Sequence, residues 1–154
     1  MTEPHASVHL SAASDRVLAV LTDVANLPAW NAAITKVVTD PGPLVTGAEW
    51  VVELSAFGRH WYSRSQVLEI DSERGVFAYR SCTDDGNPSF VVWRWTLITS
   101  GPGTDVTVSW QVNPKTFWRR VLLARIRQRQ LARTEVPASL AALGMACRAA
   151  VARG

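Results

Sequence analysis

Cysteine is scarce in this chain. Cys82 and Cys147 are the only two in 154 residues. They lack metal-ligand spacing and are too few for a disulfide framework, so both are expected as reduced, buried thiols. Histidine is nearly as rare. His5, His9 and His60 are scattered, with no paired carboxylates or cysteines beside them, and no metal site is expected. No apolar run reaches the roughly 18 residues that a membrane-spanning helix needs. The first residues, MTEPHASVHL, carry an acid, a proline and a histidine where a secretory signal needs basic residues and then an apolar run. A cytoplasmic protein is the expectation. The P-loop, the GxGxxG fingerprint, the GxSxG elbow and HExxH are all missing, so no cofactor is expected. Internal repeats and low-complexity tracts are absent as well.

What is present begins with tryptophan, seven of them, in a composition of 47% hydrophobic and 19% charged residues that is globular rather than disordered. The length predicts a single domain over 1–154. Charge is unevenly placed. From Lys115 onward there are nine basic residues and one acid, Glu135, whereas the first 114 residues hold seven basic and twelve acidic. Ala6 to Leu10 suits an edge strand. Ser14 reads as the N-cap of a short helix with Val17, Leu18 and Leu21 on one face, and Asp23 can cap a further turn that Pro28 stops or bends. Strand patterns follow, separated by turn residues. Trp50, Val52 and Leu54 alternate with Val51, Glu53 and Ser55. Trp61 to Ile70 and Val76 to Cys82 are the next strands. Val91, Trp93, Trp95 and Leu97 fall on one face of a strand and Val92, Arg94, Thr96 and Ile98 on the other. Ser100 to Thr104 reads as a hairpin loop, after which Val106, Val108, Trp110 and Val112 show the clearest alternation in the chain. Helical signals run from about Lys115 to Arg153, interrupted by Pro137, which should kink or split the helix. Strands joined by short turns pair antiparallel, and a long helix must then cover one face of their sheet.

This order resembles the START-like helix-grip superfamily (SRPBCC), in particular its polyketide cyclase/dehydrase branch. The pieces that carry the resemblance are Val20-Leu-Thr-Asp-Val24, Asn26-Leu-Pro-Ala-Trp-Asn31, Val67-Leu-Glu-Ile-Asp71 followed by Tyr79, Trp93-Arg-Trp95, and Gly103-Thr-Asp-Val-Thr107. The similarity covers nearly the whole chain. It implies an α+β helix-grip fold: a curved antiparallel sheet of about seven strands around a long C-terminal helix, with two short helices between strands 1 and 2. It also implies a cavity between sheet and helix, of the kind in which members bind lipids, sterols, polyketides or hormones and some cyclise or dehydrate polyketides. Pro137 and the arginine content of the helix depart from the pattern.

The candidate site residues follow. Trp93, Trp95 and Trp110 should face inward, and with Trp50 they can form the aromatic wall of a ligand cavity. Tyr79 and Arg80 alternate, so only one faces in. The resemblance favours Tyr79, whose hydroxyl can orient a ligand or donate a proton. His60, Tyr79 and an inward Arg64 are the candidates for acid–base work, although no acid–base pair is visible. Arg94 points away from the Trp93 and Trp95 face. Arg119, Arg120, Arg125, Arg127, Arg129 and Arg133 lie among apolar residues, and Arg125, Arg129 and Arg133 form one stripe. Three functions fit. The first is binding of a small hydrophobic or amphipathic ligand, lipid- or polyketide-like. The second is a polyketide cyclase, aromatase or dehydrase. The third is a module that docks on an anionic membrane surface or a partner through the basic helix. Nucleic acid is not an expected partner, and monomer and homodimer are equally open.

Overall fold

The computed structural model describes residues 4–31, 34–56, 58–83, 90–113 and 140–147. Seven strands form one antiparallel sheet: β1 (His5–Leu10), β2 (Ile34–Thr39), β3 (Glu49–Ala56), β4 (Arg59–Asp71), β5 (Val76–Thr83), β6 (Phe90–Ser100) and β7 (Gly103–Asn113). Their order is β1-β7-β6-β5-β4-β3-β2. The last six strands are therefore a meander, and β1 returns to pair with β7, His5 opposite Ser109 through Leu10 opposite Thr104. Helix α1 (Ser14–Thr22) and a 3-10 turn (Val24–Ala29) connect β1 to β2. Residues 140–147 are helical. The expected α+β architecture is present, with β1 at the edge where its weak alternation placed it.

Several local expectations are corrected. Ala13, not Ser14, is the N-cap of α1, and no side chain caps that helix. The Ser14 hydroxyl turns instead to the sheet, 3.0 Å from the Thr99 hydroxyl and 3.2 Å from that of Thr104. Thr104, completely buried, donates to the Ala12 carbonyl at 2.7 Å. This hydroxyl clasp fastens α1 to the β6–β7 hairpin, and it outcompetes the cap because both threonines are already paired strand neighbours. The β6–β7 connection is also shorter than the expected loop. Ser100 pairs with Gly103, leaving a two-residue turn in which Gly101 supplies a positive φ of 58°. Asp23 does precede the 3-10 turn, where its carboxylate accepts from the Asn26 amide at 2.6 Å, and Pro28 lies inside that turn.

The core occupies one face of the sheet, here called the inner face. Trp50 and Val52 are buried in it and Leu54 packs against it, as the alternation predicted. Val51 is buried too, but outside that core, between its cross-strand partners Thr39 and Arg64. Val17, Leu18 and Leu21 bring α1 onto the core, and Leu140, Leu143 and Cys147 do so for residues 140–147, at i, i+3 and i+7. Burial raises the Cys147 thiol above its ordinary range, and the nearby Arg16 charge partly offsets this. Two close approaches depend on glycine. Gly75 has a positive φ of 68°, and a Cβ there would collide with the Leu97 carbonyl. A Cβ on Gly103 would meet the Leu10 carbonyl. The arginine stripe from Arg119 to Arg133 and Pro137 lie outside the described residues.

Candidate functional site

Cross-strand partners set the inner face out in rows. Val67, Tyr79, Trp93 and Trp110 form one row across β4, β5, β6 and β7. On the side toward α1 the next row is Phe77, Trp95 and Val108, all buried. On the other side it is Trp50, Ser65, Ser81, Val91 and Val112. Tyr79, Ser81, Val91, Trp93 and Val112 are only half-buried, whereas Val67, Trp110, Trp50 and Ser65 of the same two rows are buried, so the inner face is partly accessible around Tyr79 and Trp93 and along β5, β6 and β7 beyond them.

The rings along these rows touch. Tyr79 lies 5.1 Å from Phe77 and 5.4 Å from Trp50, centroid to centroid, and 6.5 Å from Trp93 with the ring planes 22° apart. Trp93 lies 6.1 Å from Trp110. Such offset pairs are favourable because ring edges carry partial positive charge and faces partial negative. Trp30, at the end of the Asn26–Asn31 segment, meets Trp95 edge-on, at 6.2 Å and 86°. Burial pushes the Tyr79 phenol up to about 12, with the neighbouring Trp95 side chain partly opposing the shift, so Tyr79 is a neutral hydroxyl throughout the physiological range. The indole N–H groups of Trp30 and Trp110 are buried with no hydrogen-bond partner among the described residues. Each such group costs about 1–3 kcal/mol.

Serine supplies the remaining polarity. Ser63 and Ser65 are buried, and the Ser65 and Ser81 hydroxyls are 2.7 Å apart. None of the three stood out in the sequence, yet the spacing of Trp61 and Val67 on β4 places Ser63 and Ser65 on their side. The same parity puts His60 and Arg64 on the outer face. His60 is 63% exposed, 3.7 Å from Glu53. Arg64 is exposed opposite Val51 and Cys82. The expectation that either would reach an interior ligand is thereby corrected. Arg80 is also exposed and stands over the Phe90 ring at 4.4 Å, while Arg94 pairs with Glu69 at 3.1 Å on the outer face as predicted. Among the described sheet residues, Tyr79 is the sole titratable side chain on the inner face. No cluster of metal-ligating side chains occurs among the described residues. No described helix is long and apolar enough to cross a membrane.

A search of the curated proteins finds no match. Solved structures share the fold. The protein TTHA0849 of Thermus thermophilus is 19% identical, with a TM-score of 0.72 over 97% of this chain and 99% of that one. The STAR-related lipid transfer protein of Xanthomonas axonopodis is 19% identical, with a TM-score of 0.63 over 94% of this chain and 84% of that one. The di-domain ARO/CYC StfQ of the steffimycin biosynthetic pathway is 11% identical, with a TM-score of 0.75 over 97% of this chain and 51% of that one. These likenesses establish a helix-grip fold. Residues 1–138 match the family described as polyketide cyclase / dehydrase and lipid transport. With the meander, the returning first strand and the aromatic inner face in place, this match, which spans most of the sequence, makes the chain a member of the polyketide cyclase/dehydrase and lipid transport family, within the SRPBCC helix-grip superfamily.

Proposed function

We propose that this protein binds a small hydrophobic or amphipathic ligand, lipid- or polyketide-like, between the inner face of the sheet and the C-terminal helix. Trp93 offers the accessible ring of the wall, the buried Trp50, Trp95 and Trp110 back it, and Tyr79 is the polar anchor. The observation that carries this reading is the half-buried stacked pair of Tyr79 and Trp93. Aromatic surface left accessible on the core side of a sheet offers apolar area to a guest, worth roughly 25 cal/mol per Å² before the costs of binding. The wall favours binding over acid–base turnover. Among the described sheet residues no charged side chain shares the face of Tyr79, so none of them forms an acid–base pair with its phenol.

Native mass spectrometry of the freshly purified protein, followed by organic extraction, tests the reading. A co-purified lipid or polyketide-like molecule, displaced stoichiometrically by an apolar naphthalene probe, is the expected outcome. A protein that is empty and takes up no such probe at millimolar concentration overturns it.

A further inference from the structure

One row of the inner face changes character along its length. Trp50, Ser65, Ser81, Val91 and Val112 are cross-strand neighbours in turn, so the row carries hydroxyls at β4 and β5 and only methyl groups at β6 and β7. Ser65 is 3% exposed, and its hydroxyl lies 2.7 Å from that of the half-buried Ser81. One bond between two hydroxyls uses one hydrogen and leaves the other. Burial decides which is left. If Ser81 donated, the Ser65 hydrogen would be stranded in the interior, because the described residues give it no second partner. The arrangement that strands nothing has Ser65 donating, and Ser81 then keeps its hydrogen and a lone pair for the accessible side. Val91 and Val112 are also half-buried, and no charged side chain of the described sheet residues shares this face.

We propose that Ser81 is a specificity-determining contact of the binding site. The preferred ligand is a flat, neutral molecule that lies against Trp93, turns a hydroxyl or carbonyl oxygen toward Ser81 on β5, and lays an unsubstituted edge on Val91 and Val112. This rests on the binding reading above and adds to it a chemical class and an orientation. The reverse orientation would strip water from the oxygen and leave it against valine methyls, with no hydrogen bond in return. A carboxylate fits poorly as well, because the single spare hydrogen of the serine pair cannot replace the several hydrogen bonds that an anion leaves behind in water.

2-Naphthol and 2-methylnaphthalene are closely matched in size and differ in a hydroxyl for a methyl group, so together they test the site and its polarity separately. By titration calorimetry both should bind. Ser81→Ala should leave 2-methylnaphthalene within about twofold and lower the affinity of 2-naphthol relative to it by about fivefold, the loss of one neutral hydrogen bond. Naphthalene-2-carboxylate should bind the wild type at least about tenfold more weakly than 2-naphthol. Orientation is read by nuclear Overhauser contacts in the wild type. Protons beside the naphthol hydroxyl should lie close to the Ser81 β-protons, and those of the unsubstituted ring close to the Val91 and Val112 methyls. If the probes bind but Ser81→Ala leaves their ratio unchanged, as it would were Tyr79 alone to hold the oxygen, this inference falls while the binding site stands. Reversed contacts, or a carboxylate that binds as tightly as the naphthol, have the same consequence. If neither neutral probe binds, both readings fall. Should Ser81→Ala fail to fold, the contacts in the wild type still decide the matter.

Discussion

On the α1 side of Tyr79 the inner sheet face is closed, and on the far side it is partly accessible along β5, β6 and β7, while Trp50 and Ser65 on β3 and β4 stay buried. Val106 and Val108 on β7 have 0% exposure, whereas Val112 farther along the same strand and Val91 on the neighbouring β6, all on the same face, are half-buried. Residue type and alternation are alike in the two halves, so strand patterning cannot be the cause. The difference is what lies on top. Helix α1 rests on β6 and β7, and its Ser14 reaches Thr99 and Thr104. Leu143 and Leu140 add to the same closed core. Period-2 alternation therefore reports which side of a sheet a residue faces, and says nothing of whether that side is sealed or left for a guest.

The contrast is most easily broken at Gly75. Gly75→Ala forces a Cβ against the Leu97 carbonyl at a positive φ, and should cost about 3 kcal/mol or more by urea unfolding. An unchanged midpoint would mean that the closed half yields easily. A matched pair sharpens the comparison. Val108→Ala should lose about 2 kcal/mol, and Val91→Ala at most about half of that, because a half-buried valine gives up less contact. Equal losses would dissolve the distinction between the halves. Tyr79 supplies a pH test. Its phenol ionises at about 12 in the folded protein against 10.0 for the free group, so the folded state holds its proton more tightly. The stability this gives is complete below pH 10 and is lost as pH climbs through 12, by about 3 kcal/mol in all. Tyr79→Phe should lack this component of the alkaline decline, and an identical decline in the variant would contradict the assignment. The smallest effect belongs to the outer face. Arg94→Ala removes an exposed pair with Glu69 and should change stability by less than about 0.5 kcal/mol in thermal melts.

Much of the architecture was legible before the structure. The inward tryptophans followed from alternation alone, since Trp93, Trp95 and Trp110 sit in register with apolar neighbours on long strands. Tyr79 required the family resemblance, because Tyr79 and Arg80 compete for the same side and both suit a strand. Ser63, Ser65 and Ser81 escaped notice because serine is neutral in hydropathy and only the parity of its neighbours reveals it. His60 and Arg64 drew attention through their chemistry, although Trp61 and Val67 already placed them outside. Ser14 was misassigned for a related reason. Local sequence recognises a cap, but its hydroxyl partners, Thr99 and Thr104, are 85 and 90 residues away. The tertiary bond won over the local one.

The return of β1 to β7 orders events in time. Hairpins between β3 and β7 close short loops, and such pairings form early. The contact of Ser7 with Thr107 joins residues 100 apart and must wait for a much larger loop to close. Docking of helix α1, tethered to β1, is expected to be delayed with it. Tyr79, Trp93 and Trp110 belong to the early strands, whereas Leu10 and the Ser14 clasp belong to the late arrival. The aromatic wall is thus expected to stand, paired but uncovered, before the core beside it is shut. During that interval the folding chain offers apolar surface to whatever is nearby, and a ligand already present would be a natural first occupant.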